Sequence, residues 1–556
     1  MAKATSESFD YIVVGAGSAG CVLANRLSAE KDLRVLLLEA GPEDRSWKIH
    51  MPAALVSNLS DDKYNWFYHT EPQEQMDMRR MYWPRGRVLG GSSSLNAMVY
   101  MRGHALDYER WTGEGAKGWS YAEVLPYFRR AQAHAKGADA YRGGDGPLRV
   151  TTGAMRNPLF HAFIEAGKQA GYPATPDMNG YQQEGFGPMD MTIHQGRRWS
   201  AAAAYLHPAR ARPNLTVKTR ALTTRVAIEN GRAVGVEYRQ GSDTLVARAE
   251  REVILAGGAI NSPQLLMLSG IGDADELCAA GVRPVHHLPG VGKNLQDHLE
   301  VYVQYESKRR ITLHSVNNPL YRARVGIEWF LFKTGLGASA HLEAGAFIRS
   351  EAGVRHPDLQ LHFLPTVVRD HGRVASDRHA FQAHVGSMRE TSAGHIKLGS
   401  ADPAQHPAIQ PNYLKTERDR LEMRNAVKLT REIFSQRAFG PYRGPEIAPG
   451  ADVQTDNEID AFVRAKVESA YHPSCSCRMG RRDNPMAVVD PEARIIGLDG
   501  IRIIDSSIMP SITSGNLNAP TLMLAEKCAD FVLGKTPLAP AAEAAYVAPD
   551  WQTTQR

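Results

Sequence analysis

A chain of 556 residues, 43% hydrophobic and 22% charged, has the composition of a soluble globular protein and exceeds a single core, so two or more domains are expected. Its 65 Lys and Arg against 60 Asp and Glu leave a net charge of +5. That is too dilute for nucleic acid, whose binding needs clustered phosphate contacts; it permits weak attraction to an anionic membrane without requiring it. No stretch approaches the roughly 18 apolar residues of a membrane span, and no signal-peptide pattern opens the chain. Five scattered cysteines (Cys21, Cys278, Cys475, Cys477, Cys528) predict a reducing, cytoplasmic setting.

After eight residues expected to be loosely held, Phe9–Val14 reads as a buried parallel strand. Gly15-Ala16-Gly17-Ser18-Ala19-Gly20 follows, then helical spacing from Cys21 to Leu27, then a second strand Val35–Leu38 ending on Glu39. In such a unit Gly15 permits the tight turn, Gly17 admits a diphosphate to the backbone, and Gly20 lets helix and strand pack. The helix N-terminus offers free N–H groups to phosphates, and Glu39 stands where a carboxylate accepts a ribose hydroxyl. With every part in register, dinucleotide binding outweighs a plain glycine-rich turn. NAD or FAD is left open by this motif.

Gly86–Asn96 is a second glycine and serine cluster, whose interleaved Val88, Leu89 and Leu95 predict a buried loop needing backbone partners rather than a polar surface loop. Arg251–Leu268 predicts a strand, a small-residue turn and a helix initiated at Pro263. Residues 300–460 contain alternating segments such as Asp358–Phe363, which predict a half-exposed sheet with one wet face. Leu320–Phe332 is apolar on more than one side, which predicts a buried helix rather than a membrane contact.

Tyr471–Gly480 carries His472 beside Cys475 and Cys477. Zinc needs three or four ligands and no partner pair is evident, so no metal is expected; His472 is either a satisfied core histidine or a general base. Gly500–Asp505 is another strand ending on an acid. Ser514–Thr521 precedes the helical run Leu522–Glu526, either as its cap or as a polar loop holding a hydroxyl or flavin edge. From Pro537 the chain reads as a loose tail.

The simplest arrangement is α/β (α+β overall). A Rossmann-like cofactor domain is built from residues 1–155, 196–299 and 465–540. A substrate domain with a mostly antiparallel sheet spans 156–195 and 300–464, and 541–556 is the tail. A nucleotide domain that closes only after five hundred residues favours FAD over NAD.

Together these clusters resemble the glucose–methanol–choline family of FAD-dependent oxidoreductases from about Phe9 to Leu533. Gly86–Glu109 fits its first signature and Gly258–Gly272 its second, with support from Met178–Asp190 and Asn294–Glu300. The resemblance implies that Gly15, Gly17, Ser18, Ala19, Gly20, Glu39 and Ala40 bind the ADP half of FAD. It puts Arg87, Gly90, Gly91, Ser92, Asn96 and Ala97 along the diphosphate and flavin, Asp505 near the ribityl chain, and Asn518 and Thr521 on the cofactor too. His472 and Asn516 take the catalytic positions; Glu300, with Tyr471 nearby, takes a quaternary ammonium. Leu95 stands where some relatives carry the histidine that links FAD, so noncovalent FAD is implied. Near Glu343 the chain reads Ala340-His341-Leu342, without a tryptophan that would add a cation-binding face.

The implied activity is oxidation of choline to betaine aldehyde, with a further turnover to glycine betaine. Oxidation of another primary alcohol, an NAD-dependent enzyme and a non-catalytic flavin-binding or membrane-docking protein are the alternatives. The electron acceptor (oxygen, a quinone or another), the oligomeric state and peripheral membrane contact stay open.

Overall fold

A computed structural model describes residues 7–370, 374 and 376–556. Its first sheet runs in the order Leu215–Thr219, Val35–Glu39, Glu7–Val14, Asp243–Leu255, Arg232–Gln240, Ala221–Glu229, with Ile501–Ile503 beside the end of Asp243–Leu255. Glu7–Val14 pairs in parallel on both sides, with Val35–Glu39 and Asp243–Leu255. Ile12, Val13, Leu36 and Leu37 are fully buried there, as continuous apolar strands covered on both faces must be. The first strand starts at Glu7, inside the segment expected to be loose; residues 1–6 lie outside the described residues.

Helix Ser18–Ser28 packs on the last long helix, Asn518–Val532, so the chain's two ends build one layer. A third helix, whose start lines the same cavity, spans Gly258–Leu268 and begins five residues before Pro263, not at it. A proline inside a helix deprives the carbonyl four residues earlier of its N–H. The Ser476 hydroxyl supplies that bond, donating to Ala259 O at 2.6 Å.

The second sheet is antiparallel: Arg443–Ala448, Leu299–Ser307, Ala380–Ser387, Leu359–Leu364, Ala344–Ile348, Gly185–Pro188. Glu468–Ser469 also pairs with Leu299 and Glu300, so this sheet takes in residues from the segment assigned by sequence to the cofactor part. The expected wet face is absent. Every residue of Leu359–Leu364 is buried. Period two is kept: Leu361 and Phe363 point into a phenylalanine cluster with Phe381 and Phe434, while His362 lies in register with His384, itself opposite Tyr302. The polar face meets an internal cavity instead of water, and alternation alone does not distinguish the two.

Two further expectations are corrected. Helix Pro319–Phe332 buries only Val325 and Trp329; Leu320, Ile327, Leu331 and Phe332 are 83%, 60%, 68% and 69% exposed. The tail is tied down, not loose: Ala541 N–H donates to Ala122 O, Tyr546 N–H to Tyr181 O, and Arg349 Nη1 to Thr554 O at 2.7 Å. Among the described residues no helix is long and apolar enough to cross a membrane.

Candidate active site

One cavity of about 520 Å³ is lined by the ends of first-sheet strands at Val14, Leu38 and Leu255, and by second-sheet residues Glu300, Tyr302, His362 and His384. Gly15, Gly17, Ser18, Ala19, Glu39 and Ala40 line one part; Gly91, Ser92, Asn96, Ala97, Asp505, Asn518 and Thr521 line it further along; Glu300, Tyr471, His472 and Asn516 line the other part. Gly20, Arg87 and Gly90 do not. Gly20 acts by close packing, since a Cβ there would overlap the Gly15 carbonyl oxygen; Gly15 itself turns at φ +102°. Gly90 makes the turn before the second glycine loop at φ +87°. Arg87 departs from its expected place: its guanidinium lies over Trp66, and Nη2 donates to Asp62 O.

Three helix N-termini converge on the glycine end. No side chain caps helix Ser18–Ser28, and Ser18 Oγ donates to Asn518 Oδ1 at 2.7 Å, tying it to the start of the last helix. Gly258, opening the third helix, donates its N–H to Asp505 Oδ2 at 2.8 Å, and Ser262 Oγ binds the same oxygen at 2.6 Å. Uncapped N–H groups and aligned helix dipoles suit an anionic diphosphate. Glu39 accepts Ala16 N–H at 2.9 Å and Gly41 N–H at 2.8 Å, one on each oxygen. Each oxygen keeps a lone pair for a hydroxyl. Burial pushes the Glu39 carboxyl up to about 7 against those two amides. This cradle fits a flavin dinucleotide. Leu95, in the second loop, packs with Ile49, Tyr64 and Val88 and has no nucleophile to link one covalently.

At the other end a chain of hydrogen bonds fixes His472. His298 Nε2 lies 3.2 Å from Met388 O, an acceptor only, so Nε2 carries the proton and Nδ1 is a lone pair. His298 Nδ1 is 3.0 Å from His472 Nδ1, which therefore donates. His472 Nε2 is left as a lone pair, 3.2 Å from Asn516 Nδ2. Gln360 Nε2 donates to Asn516 Oδ1 at 3.3 Å and orients that amide. The His472 N–H donates to Asp297 Oδ1 at 2.6 Å; Ser469 and Tyr413 hold the other carboxylate oxygen. Burial, then the nearness of His298, Arg85 and His362, which disfavours a second positive charge there, holds His472 well below its ordinary pKa. Its imidazole is neutral at neutral pH.

Glu300 Oε1 accepts from His384 Nδ1 at 3.0 Å, and the His384 ring meets Tyr302 at a tilt of 32° with centroids 4.1 Å apart. Burial opposes ionisation of Glu300, but His384, His362 and Tyr302 outweigh it and hold the carboxyl below its usual range. An ionised carboxylate thus faces the same cavity as His472. Tyr471 adopts a left-handed backbone, φ +63°, and its carbonyl accepts a hydrogen bond from Arg85 Nη2.

Sequence reasoning did not single out Arg85, Asp297, His298, His362 or His384. The stretch Asn294–Glu300 was the available signal for two of them. Among the described residues no group of three His, Cys, Asp or Glu is placed to hold a metal ion, and all five cysteines are free.

A dinucleotide cradle joined to a histidine–amide pair defines a class of oxidoreductase, and sequence comparison agrees. The chain belongs to the GMC oxidoreductase family, whose N-terminal model matches residues 9–300 and whose C-terminal model matches 390–525. It is 62% identical over 548 residues to the mitochondrial choline dehydrogenase of Homo sapiens, covering 97% of this chain and 92% of that protein. It is 53% identical over 551 residues to the oxygen-dependent choline dehydrogenase of Photobacterium profundum, covering 99% and 97%. Among solved structures, pyridoxine 4-oxidase from Mesorbium loti superimposes with a TM-score of 0.87 at 33% identity, covering 95% of this chain and 100% of that one. A formate oxidase of Aspergillus oryzae RIB40, studied for modification of its FAD, gives 0.89 at 25%, covering 96% and 99%.

Proposed function

We propose that this chain is an FAD-dependent alcohol dehydrogenase that oxidises choline to betaine aldehyde. The observation that carries the reading is one cavity holding both a neutral His472 Nε2 beside Asn516 and an ionised Glu300. The names of the relatives point the same way. Residues 1–155, 196–299 and 465–540 hold FAD noncovalently through the glycine loops, Glu39, Asp505, Asn518 and Thr521; residues 156–195 and 300–464 hold the substrate.

FAD supplies the hydride acceptor. His472 Nε2 takes the hydroxyl proton, and Asn516 Nδ2 donates to the same oxygen as negative charge develops on it. Asp297 fixes the His472 main chain, and His298 keeps the proton on His472 Nδ1 so that Nε2 stays free. Glu300 takes the trimethylammonium group with Tyr302 and Tyr471 alongside, replacing the missing tryptophan face. A neutral alcohol leaves the buried carboxylate without that partner, which selects against it. The aldehyde hydrate offers the same hydroxyl to His472, so a second turnover yields glycine betaine.

The test is anaerobic flavin bleaching by choline, betaine aldehyde, benzyl alcohol and hexanol. Choline bleaches fastest under this reading. Faster bleaching by either neutral alcohol assigns the enzyme to that alcohol instead.

A further inference from the structure

The antiparallel pair Leu299–Ser307 and Ala380–Ser387 sets Gln304 opposite Gln382 and Tyr302 opposite His384, all four on one face of the sheet. Gln382 is fully buried, and the main chain fixes which way its amide points. The Val368 N–H, a donor only, reaches Gln382 Oε1 at 3.0 Å. Gln304 Nε2 donates to the same oxygen at 2.8 Å and to Val368 O at 3.2 Å. Turning the Gln382 amide over would set its NH2 against both donors. Gln382 Nε2 therefore donates to His384 Nε2. That nitrogen is a lone pair, so the ring proton sits on Nδ1 and is given to Glu300 Oε1. The ring has no place for a second proton.

We propose that Gln382 sets the charge of the substrate site: by holding His384 neutral it leaves the negative charge of Glu300 uncancelled for a quaternary ammonium. The inference rests on Glu300 being the cation anchor. Imidazole takes its charge between pH 5 and 8, most readily beside a carboxylate, and an imidazolium at His384 would cancel much of the attraction. Preference for a cation over a neutral alcohol thus depends on an amide that does not itself line the cavity.

The groups around His384 leave this task to Gln382. His362, in register with His384 on the next strand, is held down at about 4 by burial. Burial raises the Tyr302 hydroxyl far above neutral pH, and Tyr471 and His472 line the same cavity. Glu468, paired with Glu300 in the sheet, accepts Arg79 Nη2 at 2.6 Å, and burial pushes it up to about 7. Glu422 is likewise raised to about 7 by burial, but it bonds Ser387, which points to the opposite face. Both acids titrate in wild type and variants alike, so the effect of Gln382 is read as a ratio to wild type.

The experiment is anaerobic flavin reduction by choline in the FAD-loaded enzyme at about pH 6 and about pH 8.5, which brackets the charging of an imidazole. In Gln382→Met the apparent Kd for choline is expected to rise about tenfold over wild type at the lower pH and to stay within about twofold at the higher. The limiting rate, and reduction by the neutral 3,3-dimethylbutan-1-ol, keep the wild-type pH dependence. Adding His384→Gln, a side chain that cannot take a charge, removes the excess at low pH. Histidine 15N spectra of wild type, assigned against His384→Gln, test the same point without altering Gln382. They are expected to show His384 protonated on Nδ1 alone at both pH values. A Gln382→Met enzyme that follows wild type at both pH values overturns the proposal, as does an excess that survives His384→Gln or an imidazolium at His384 in wild type. Any of these, with choline still weakened by Glu300→Gln, removes the role of Gln382 and leaves the anchor standing; choline unaffected by Glu300→Gln removes both.

Discussion

At the Gly15–Glu39 end the cavity is walled by main chain; at the His472–Glu300 end it is walled by side chains. The first end is local: strand, turn, helix and acid lie within 33 residues, Glu7 to Glu39, and every partner of the Glu39 carboxylate is a backbone amide. The second gathers residues 85, 298, 300, 362, 384, 472 and 516 from both sheets and their loops. A ligand held by backbone geometry survives side-chain exchange nearby, whereas proton transfer depends on single atoms. The two ends are therefore separable by mutation.

His472→Ala separates them most sharply. Choline-driven flavin reduction is expected to fall about 10³-fold while the bound-flavin spectrum persists. Loss of flavin from this variant breaks the separation. Gly20→Ala acts at the opposite end: its Cβ meets the Gly15 carbonyl, so flavin per purified chain is expected to fall about tenfold. Full flavin content there contradicts the cradle.

Asp107 gives a smaller effect. Its Oδ2 accepts Ser514 N–H at 2.7 Å and His104 N–H at 2.8 Å, holding the loop that carries Asn516. Burial opposes its ionisation, but His356, Arg110 and His104 hold it well below the ordinary value. A depressed carboxyl stabilises the fold above its unfolded pKa near ~3.9 and loses that contribution as pH falls through the folded value. Asp107→Asn is expected to cost about 2 kcal/mol. The gap in Tm from wild type is full at neutral pH and narrows only below about pH 4. A gap already closed at neutral pH removes Asp107 from the account.

The same contrast explains what was legible in the sequence. Gly15–Glu39 declares itself because its meaning is carried by neighbours in the chain. His472, Asn516 and Glu300 gained roles only through family resemblance, since the residues left a core histidine and a helix cap as equal readings. His362 and His384 were hidden inside ordinary strand alternation: a polar face lining a cavity and a polar face in water have the same period. Helix Pro319–Phe332 failed the other way, its apolarity on more than one side suggesting a core that the fold does not provide. Arg87 lies one main-chain step past the glycine that begins its loop and points outward, while Arg85 turns in.

The central claim is that a base and a cation anchor share one cavity. It is tested by comparing choline with its neutral carbon isostere, 3,3-dimethylbutan-1-ol, in wild type and Glu300→Gln, reading anaerobic flavin reduction. Glu300→Gln is expected to lower the second-order rate with choline about a hundredfold and to leave the isostere within a few-fold of wild type. Equal losses for both alcohols, or an unchanged rate with choline, would contradict it.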